Sequence, residues 1–238
     1  MSSTGKVALL KLSNPELDKV MGGIPLPSLT IIEGPNDSGK SVLTQQIIYG
    51  ATKQNLRTRC ITSETKFTDL VRQMDSLSFK VVDSVKNGQF RITELQGESH
   101  NWNVELSSLY LSVTEKFIRS DKLSNLVIID SLTCLVTHAS SEDVLKFFTG
   151  IKRIVNSDKR SIIITLHPYA FNDDMLIRIR SICDNYFKLS IQEIGGKIAR
   201  SLEMKKIRGV SKDSSGFLTF QVDPAFGIKV MPFTRAKG

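Results

Sequence analysis

Cysteine is scarce in this sequence and unpatterned. Cys60, Cys134 and Cys183 lie far apart and form no CxxC pair, which excludes a disulfide scaffold and predicts inert thiols in a reducing compartment. Histidine is equally thin: His100, His138 and His167 show no metal-ligand spacing, so no metal beyond one carried in by a ligand is expected. Trp102 is the single tryptophan, and aromatic residues do not interleave with basic ones, so the stacking platforms of single-stranded nucleic-acid binders are missing. No apolar run approaches the roughly 20 residues of a bilayer-spanning helix. Lys6 and Lys11 interrupt the early apolar residues, which argues against a secretory signal. The expectation is a soluble, cytoplasmic protein without direct membrane insertion, peripheral to a membrane only through partners. Low-complexity segments and internal repeats are also lacking.

What is present suits one large domain over residues 1–238. Apolar residues make up 40% and charged residues 24% of 238, enough for a core without staples. The charge is uneven. Residues 1–149 carry 16 Lys/Arg against 16 Asp/Glu, whereas residues 150–238 carry 16 against 8. The whole excess of +8 therefore sits in the last third, where it either meets phosphates or an acidic partner or is a solvated basic face.

Periodicity predicts strands at Leu29–Glu33, Arg57–Thr62, Phe90–Leu95, Leu126–Asp130 and Ser161–Thr165. Helices alternate with them at Ser41–Ala51, Phe67–Leu77, Val104–Ile118 and Asp143–Asn156, with a short one after Asp173. The apolar spacing of Val104–Ile118 rests on Leu106, Leu109, Val113 and Phe117. From Cys183 the pattern becomes a run of strands, Tyr186–Ile191, Arg200–Ile207, Leu218–Val222 and Ile228–Met231. The fold class expected is α/β: a mostly parallel sheet flanked by helices and extended by C-terminal antiparallel strands.

Gly34-Pro35-Asn36-Asp37-Ser38-Gly39-Lys40-Ser41 fits the phosphate-loop pattern G-x-x-x-x-G-K-[ST] in full. Its backbone N–H groups wrap phosphate oxygens, and the glycines permit that approach. The following helix, from Val42 onward, offers unpaired donors and the positive end of its dipole. Lys40 supplies charge for the β- and γ-phosphates, and the Ser41 hydroxyl is placed for Mg2+. The apolar strand ending in Asp130 has the Walker B form, with the carboxylate positioned to hold Mg2+ through water. Glu64 follows another strand, where a carboxylate polarises an attacking water or, alternatively, caps the helix from Phe67. Asp37 is an unusual neighbour for phosphate and is expected to face outward. Thr165-Leu166-His167 ends a buried strand, where it either senses the γ-phosphate or packs.

These residues carry a resemblance. Leu17-Asp18, Gly22-Gly23-Ile24-Pro25, Ser28-Leu29-Thr30 and Glu33-Gly34 resemble the opening of KaiC-like and RecA-like ATPases. Ile128-Ile129-Asp130-Ser131-Leu132 is similar to their Walker B segment, and Lys206-Ile207-Arg208-Gly209 to the K-x-R-G motif of KaiC-like proteins. The resemblance runs from Leu17 to Pro232. Within the superfamily it is nearest to the ATP-binding accessory proteins of the archaellum motor, on the Asn36–Ser41 loop, Ser63-Glu64-Thr65 and Thr165-Leu166-His167-Pro168. It implies a RecA-like fold, ATP with Mg2+, and a homo-oligomer, a hexameric ring with ATP at subunit boundaries. Lys206 and Arg208 would reach a neighbour's nucleotide, and the partners would be a motor ATPase and a membrane-anchored scaffold. It also implies a cis Asp130–Ser131 peptide and places Ser181 near a position phosphorylated in some members. One departure stands out: KaiC-like proteins carry two adjacent glutamates where this chain has Glu64 and Thr65, which implies slow hydrolysis or none.

Three functions compete on this fold. The first is a regulatory and assembly subunit governed by ATP occupancy. The second is a DNA recombinase paralogue, favoured by a pI of about 9.4 but opposed by the missing aromatic–basic pattern. The third is an ATPase that turns over for mechanical work.

Overall fold

The computed structural model describes residues 8–95, 102–194, 197–208 and 216–231. The chain opens with β1 (Ala8–Leu10), α1 (Pro15–Met21) and β2 (Ile24–Leu26). Asn14 caps α1 through Leu17 N, Pro15 fits its first turn, and Gly22 ends it at φ +72°. Then come β3 (Leu29–Glu33), α2 (Lys40–Lys53), β4 (Thr58–Thr62), α3 (Phe67–Ser76), α4 (Val82–Lys86), β5 (Phe90–Glu94) and α5 (Val104–Ser120). After them follow β6 (Leu126–Asp130), α6 (Thr133–Val136), α7 (Ser141–Asp158), β7 (Ser161–Leu166), a 3-10 turn at Pro168–Ala170 and α8 (Asp173–Ile182). The C-terminal strands are β8 (Asn185–Ile194), β9 (Lys197–Lys206), β10 (Phe217–Asp223) and β11 (Gly227–Met231).

Nine strands form one sheet in the order β11-β10-β9-β8-β3-β7-β6-β4-β5. From β8 to β5 the pairs are parallel, and from β8 to β11 they are antiparallel. This is the expected architecture. The β3 and β7 strands are buried throughout and β6 is apolar from Leu126 to Ile129, because helices cover both of their faces. On β6, Leu126 and Ile128 join α1 and α2 in one core. Val127 and Ile129 join α5, α7 and α8 in the other. Each fully buried side chain of this kind contributes roughly 1.5–3 kcal/mol, so apolar burial, not ion pairing, holds the sheet between its layers.

The α5 helix forms where expected, but its buried face is not the one its apolar spacing suggests. Ser107, Leu111, Thr114 and Ile118 face inward. Leu109 and Val113 are 58% and 52% exposed. Hydroxyls can occupy the inner face because α7 presses close: a Cβ on Gly150 would come within 2.4 Å of the Glu115 carboxylate.

Candidate nucleotide site

Parallel strands align their carboxyl ends, and the loops there converge on one crevice. At the end of β3 the chain enters the phosphate loop. A Cβ on Gly34 would sit 2.5 Å from Ser38 Oγ and 2.8 Å from Leu189 Cβ, so only glycine fits between the loop and β8. Gly39 takes φ +93° and begins α2 without a side-chain cap. No acidic residue stands in the first turn of α2. Its N-terminal donors are left for an anion.

Lys40 is 6% exposed and turns back on its own loop, donating to Gly34 O and Pro35 O at 2.8 Å each. Burial lowers its pKa, and the nearby Asp130, Glu64 and Asp37 carboxylates partly offset that. Asp37 is exposed at φ +58°, yet it lines the cavity over the loop and its charge acts on Lys40, so it does not simply face away from the site. A cavity of about 440 Å³ opens over the loop, lined by Lys40, Ser41, Val42, Glu64, His167 and Arg200 among others.

Asp130 is held by hydroxyls. Thr165 Oγ1 donates to its Oδ1 at 2.7 Å and Thr44 Oγ1 to its Oδ2 at 3.1 Å. Burial pushes the carboxyl up, the Thr165 hydroxyl opposes that, Glu64 adds to it, and Thr44 and Ser41 oppose it again. The net shift is upward because burial, with Glu64, outweighs the hydroxyl donors. A Ser41 hydroxyl beside an incompletely compensated carboxylate is a donor set that fits Mg2+, which takes one or two protein oxygens and keeps its other positions for water and phosphate. Bound there, Mg2+ would neutralise phosphate charge. Gly34 to Val42 would cradle the phosphates, with Ser41 and Asp130 on the metal side.

The Asp130–Ser131 peptide is cis, as the resemblance implies. Ser131 Oγ donates to Glu64 Oε1 at 2.5 Å, and Ser63 Oγ donates to Ser131 O at 2.7 Å. Glu64, with its side chain 52% exposed, thus points into the cavity. It does not cap α3: Lys66 is the cap residue, and Phe67 N donates to Glu94. His167 Nε2 stands 4.0 Å from Glu64 Oε1. Burial first, and Lys40 second, lower the imidazole pKa, so His167 meets the site as a neutral donor–acceptor.

Lys206 and Arg208 are not at this cavity. Parallel pairing sets Glu33 beside Lys188. Antiparallel pairing sets Arg200 beside Ile191 but Lys206 beside Tyr186. Arg200 therefore lies at the phosphate end of the sheet and Lys206 at the other. There Lys206 Nζ donates to Arg180 O at 2.9 Å and Cys183 O at 2.5 Å, closing the C-terminus of α8. Arg208 Nη1 reaches Asp184 Oδ1 at 3.3 Å. Ser181 is exposed at the same helix end, its Oγ bonded to Arg178 O at 2.6 Å. Gly209 and Pro232 lie outside the described residues.

Three site residues escaped the sequence or were only half seen. Thr44 is one turn beyond Ser41 on the same face of α2, a spacing that could have flagged it. Thr165 stood out only as part of a strand tip. Arg200 donates its Nε to Asp37 O at 2.7 Å from a strand far along the chain, and no local pattern announces that.

A family model described as "ATPase: KaiC" matches residues 11–235. The archaeal flagellar ATP-binding protein FlaH of Sulfolobus acidocaldarius is 35% identical over 229 residues, 96% of this chain and 99% of that protein. FlaH of Methanocaldococcus jannaschii is 26% identical over 94% of this chain and 96% of its own length. A crystal structure of the flagellar accessory protein FlaH from M. jannaschii superposes with a TM-score of 0.77 at 24% identity, covering 96% of this chain and all of that one. The chain belongs to the KaiC-type ATPase family and, within it, to the FlaH group.

Proposed function

We propose that this protein is an ATP-binding regulatory and assembly subunit of the archaellum machinery. On this reading ATP occupancy controls ring formation and docking to a motor ATPase and a membrane-anchored scaffold. The FlaH relatives, named for flagellar ATP binding, support the setting. The observation that carries the reading is the placement of two groups of residues at opposite ends of one sheet. The loop, Lys40, Ser41 and Asp130 hold one end, while Lys206 and Arg208 stand at the other. A subunit built this way offers a nucleotide pocket and, separately, two cations suited to a neighbour's phosphates. Arg is fitted to that task by its planar fork. A head-to-tail ring uses both ends.

Hydrolysis is slow or absent on this reading. Glu64 lines the cavity over the loop, its Oε1 is already engaged by Ser131, and Thr65 stands where a second carboxylate would. In an isolated subunit Arg208 has no nucleotide to reach, and an in-trans arginine is commonly worth about 10³–10⁵ in turnover on phosphate-loop sites.

Thermal melting tests the central claim. ATP with Mg2+ at a thousandfold excess over Kd should stabilise the fold by about 4 kcal/mol, and Lys40→Ala should abolish the gain while leaving the ligand-free melt nearly unchanged. A wild-type protein that melts alike with and without ATP overturns the proposal. Turnover above about 10 s⁻¹ would favour a work-producing ATPase. A recombinase reading draws on the +8 charge. Yet Lys152 and Arg180, both in the basic third, are engaged by Asp184 and Glu33. Saturable DNA binding with a steep salt slope would restore it.

A further inference from the structure

We propose that the outer face of α5 is a docking site for an amphipathic helix of another protein, one with an apolar seam and an acidic flank. Leu109, Val113 and Phe117 follow at four-residue intervals and are 58%, 52% and 36% exposed. Leu106, half-buried, lies on the same side. Four-residue steps put these side chains in one stripe. The stripe stands about a third of a turn from the inward face, which carries Ser107 and Thr114. The helix thus shows its more apolar side to solvent. Burial of Leu109 and Val113 would be favourable, and nothing among the described residues supplies it.

The surroundings of the stripe have the composition of an interface. Trp102 lies against Tyr110 at its N-terminal end, with ring centroids 5.1 Å apart. The Arg59 guanidinium lies 5.1 Å from the centroid of the Phe117 ring at the other. Trp, Tyr and Arg are the residues that most often dominate binding energy at interfaces. The α7 helix packs on the side carrying Ser108 and Glu115, so the stripe faces away from it.

Charge selects the occupant. Arg59 and Arg91 meet at Asp121 just past the C-terminal end of α5, Arg57 and Arg91 line a surface recess there with Leu123, and Lys116 precedes Phe117 on the helix. Against them stands Asp121, a buried carboxylate already bonded to Arg59 at 2.6 Å and 3.8 Å from Arg91. Arg57 and Lys116 have no ion-pair partner among the described residues. An acidic flank on the incoming helix would complement them. None of the stripe residues lines the cavity over the phosphate loop, and the proposal does not rest on the ATP reading.

The sole tryptophan provides the readout. The full-length protein is titrated with a tryptophan-free synthetic helical peptide that has leucines along one face and glutamates beside them, and with its twin carrying lysines instead. The acidic peptide should shift Trp102 emission saturably and bind at least tenfold tighter than the basic one, with an advantage that shrinks as salt rises. Leu109→Gln/Val113→Gln should weaken it at least tenfold, and Lys116→Gln about threefold. Both variants should keep the wild-type ATP-induced melting shift, which separates loss of docking from loss of fold. No binding, equal binding of the two peptides, or unchanged binding by the double variant overturns the proposal. So does a wild-type dimer that Leu109→Gln/Val113→Gln dissociates, which would make the occupant a second copy.

Discussion

Asp130 and Asp184 stand at opposite ends of the same sheet and are kept in opposite electrostatic conditions. Asp130 closes β6 among hydroxyl donors, and its titration is displaced upward by burial. Asp184 precedes β8, and burial raises it too. There the Lys152 ammonium at 2.5–2.6 Å, the Leu29 amide at 2.9 Å and Arg208 more than reverse the effect, and it titrates below the ordinary range. One carboxylate is completed inside the fold. The other is left short of positive charge in the crevice where a cation-bearing ligand would arrive. A buried acid that the fold fails to neutralise marks a functional site, and one that it neutralises marks architecture.

The largest expected effect breaks the completed end. Asp184→Ala strands Lys152 and should cost about 3 kcal/mol in urea unfolding, as for other broken buried pairs. A cost below about 1 kcal/mol would mean that Lys152 simply finds water. Asp130→Asn should act in the other direction on the ligand-free protein, with a gain of about 1.4 kcal/mol for each unit of upward displacement removed. The same variant should lose most of the Mg2+-dependent part of the ATP shift. Ligand-free destabilisation by Asp130→Asn would remove the contrast. Lys206→Met should cost about 1 kcal/mol through the carbonyls it uncaps, with ATP affinity of the isolated subunit unchanged.

The pH dependence sharpens the same contrast with a smaller signal. Asp184 is depressed, so its stabilisation is full above the ordinary aspartate value of about 3.9 and is lost as pH falls through its lower folded value. Asp130 is raised, so its penalty is full at neutral pH and fades as pH falls through its folded value toward the ordinary one. The advantage of Asp130→Asn over the wild type should therefore shrink on acidification from pH 7. The deficit of Asp184→Ala should persist to lower pH. Parallel curves would refute the assignment.

The phosphate loop was legible because its chemistry is backbone chemistry: close wrapping demands glycine at Gly34 and Gly39, and glycine at fixed spacing is visible in a string of letters. Asp130 was legible because a buried parallel strand is a continuous apolar run, and a charge at its end breaks the run. The parallel character of the sheet and its antiparallel extension from β8 followed from alternation, whereas the strand order did not. Arg200 and Thr165 were obscure as site residues because pairing across the sheet, not sequence distance, brings them to the crevice. The three-residue strands β1 and β2 were too short to show a period. The cap residues of α1 were there to read: Asn14-Pro15 at its start and Gly22 at its end carry both signals. The outward face of α5 misleads any reading by periodicity, since apolar spacing says that a face wants covering but not by what.

The β9 strand touches both ends of the sheet. Arg200 near its start grips the Asp37 carbonyl of the phosphate loop, and Lys206 at its end closes α8. The six residue steps from one to the other span roughly 20 Å, paired with β8 over this length and with β10 from Arg200 to Glu203. Such a strand is a continuous covalent link between the two ends, so a shift of the loop on filling or emptying has a direct route along it. In the proposed ring the far end of each such strand faces the next subunit's pocket, so the state of one pocket is passed mechanically to its neighbour. ATP binding around such a ring would be sequential in character, with a Hill coefficient that departs from unity when Arg200 is present and returns toward it in Arg200→Ala.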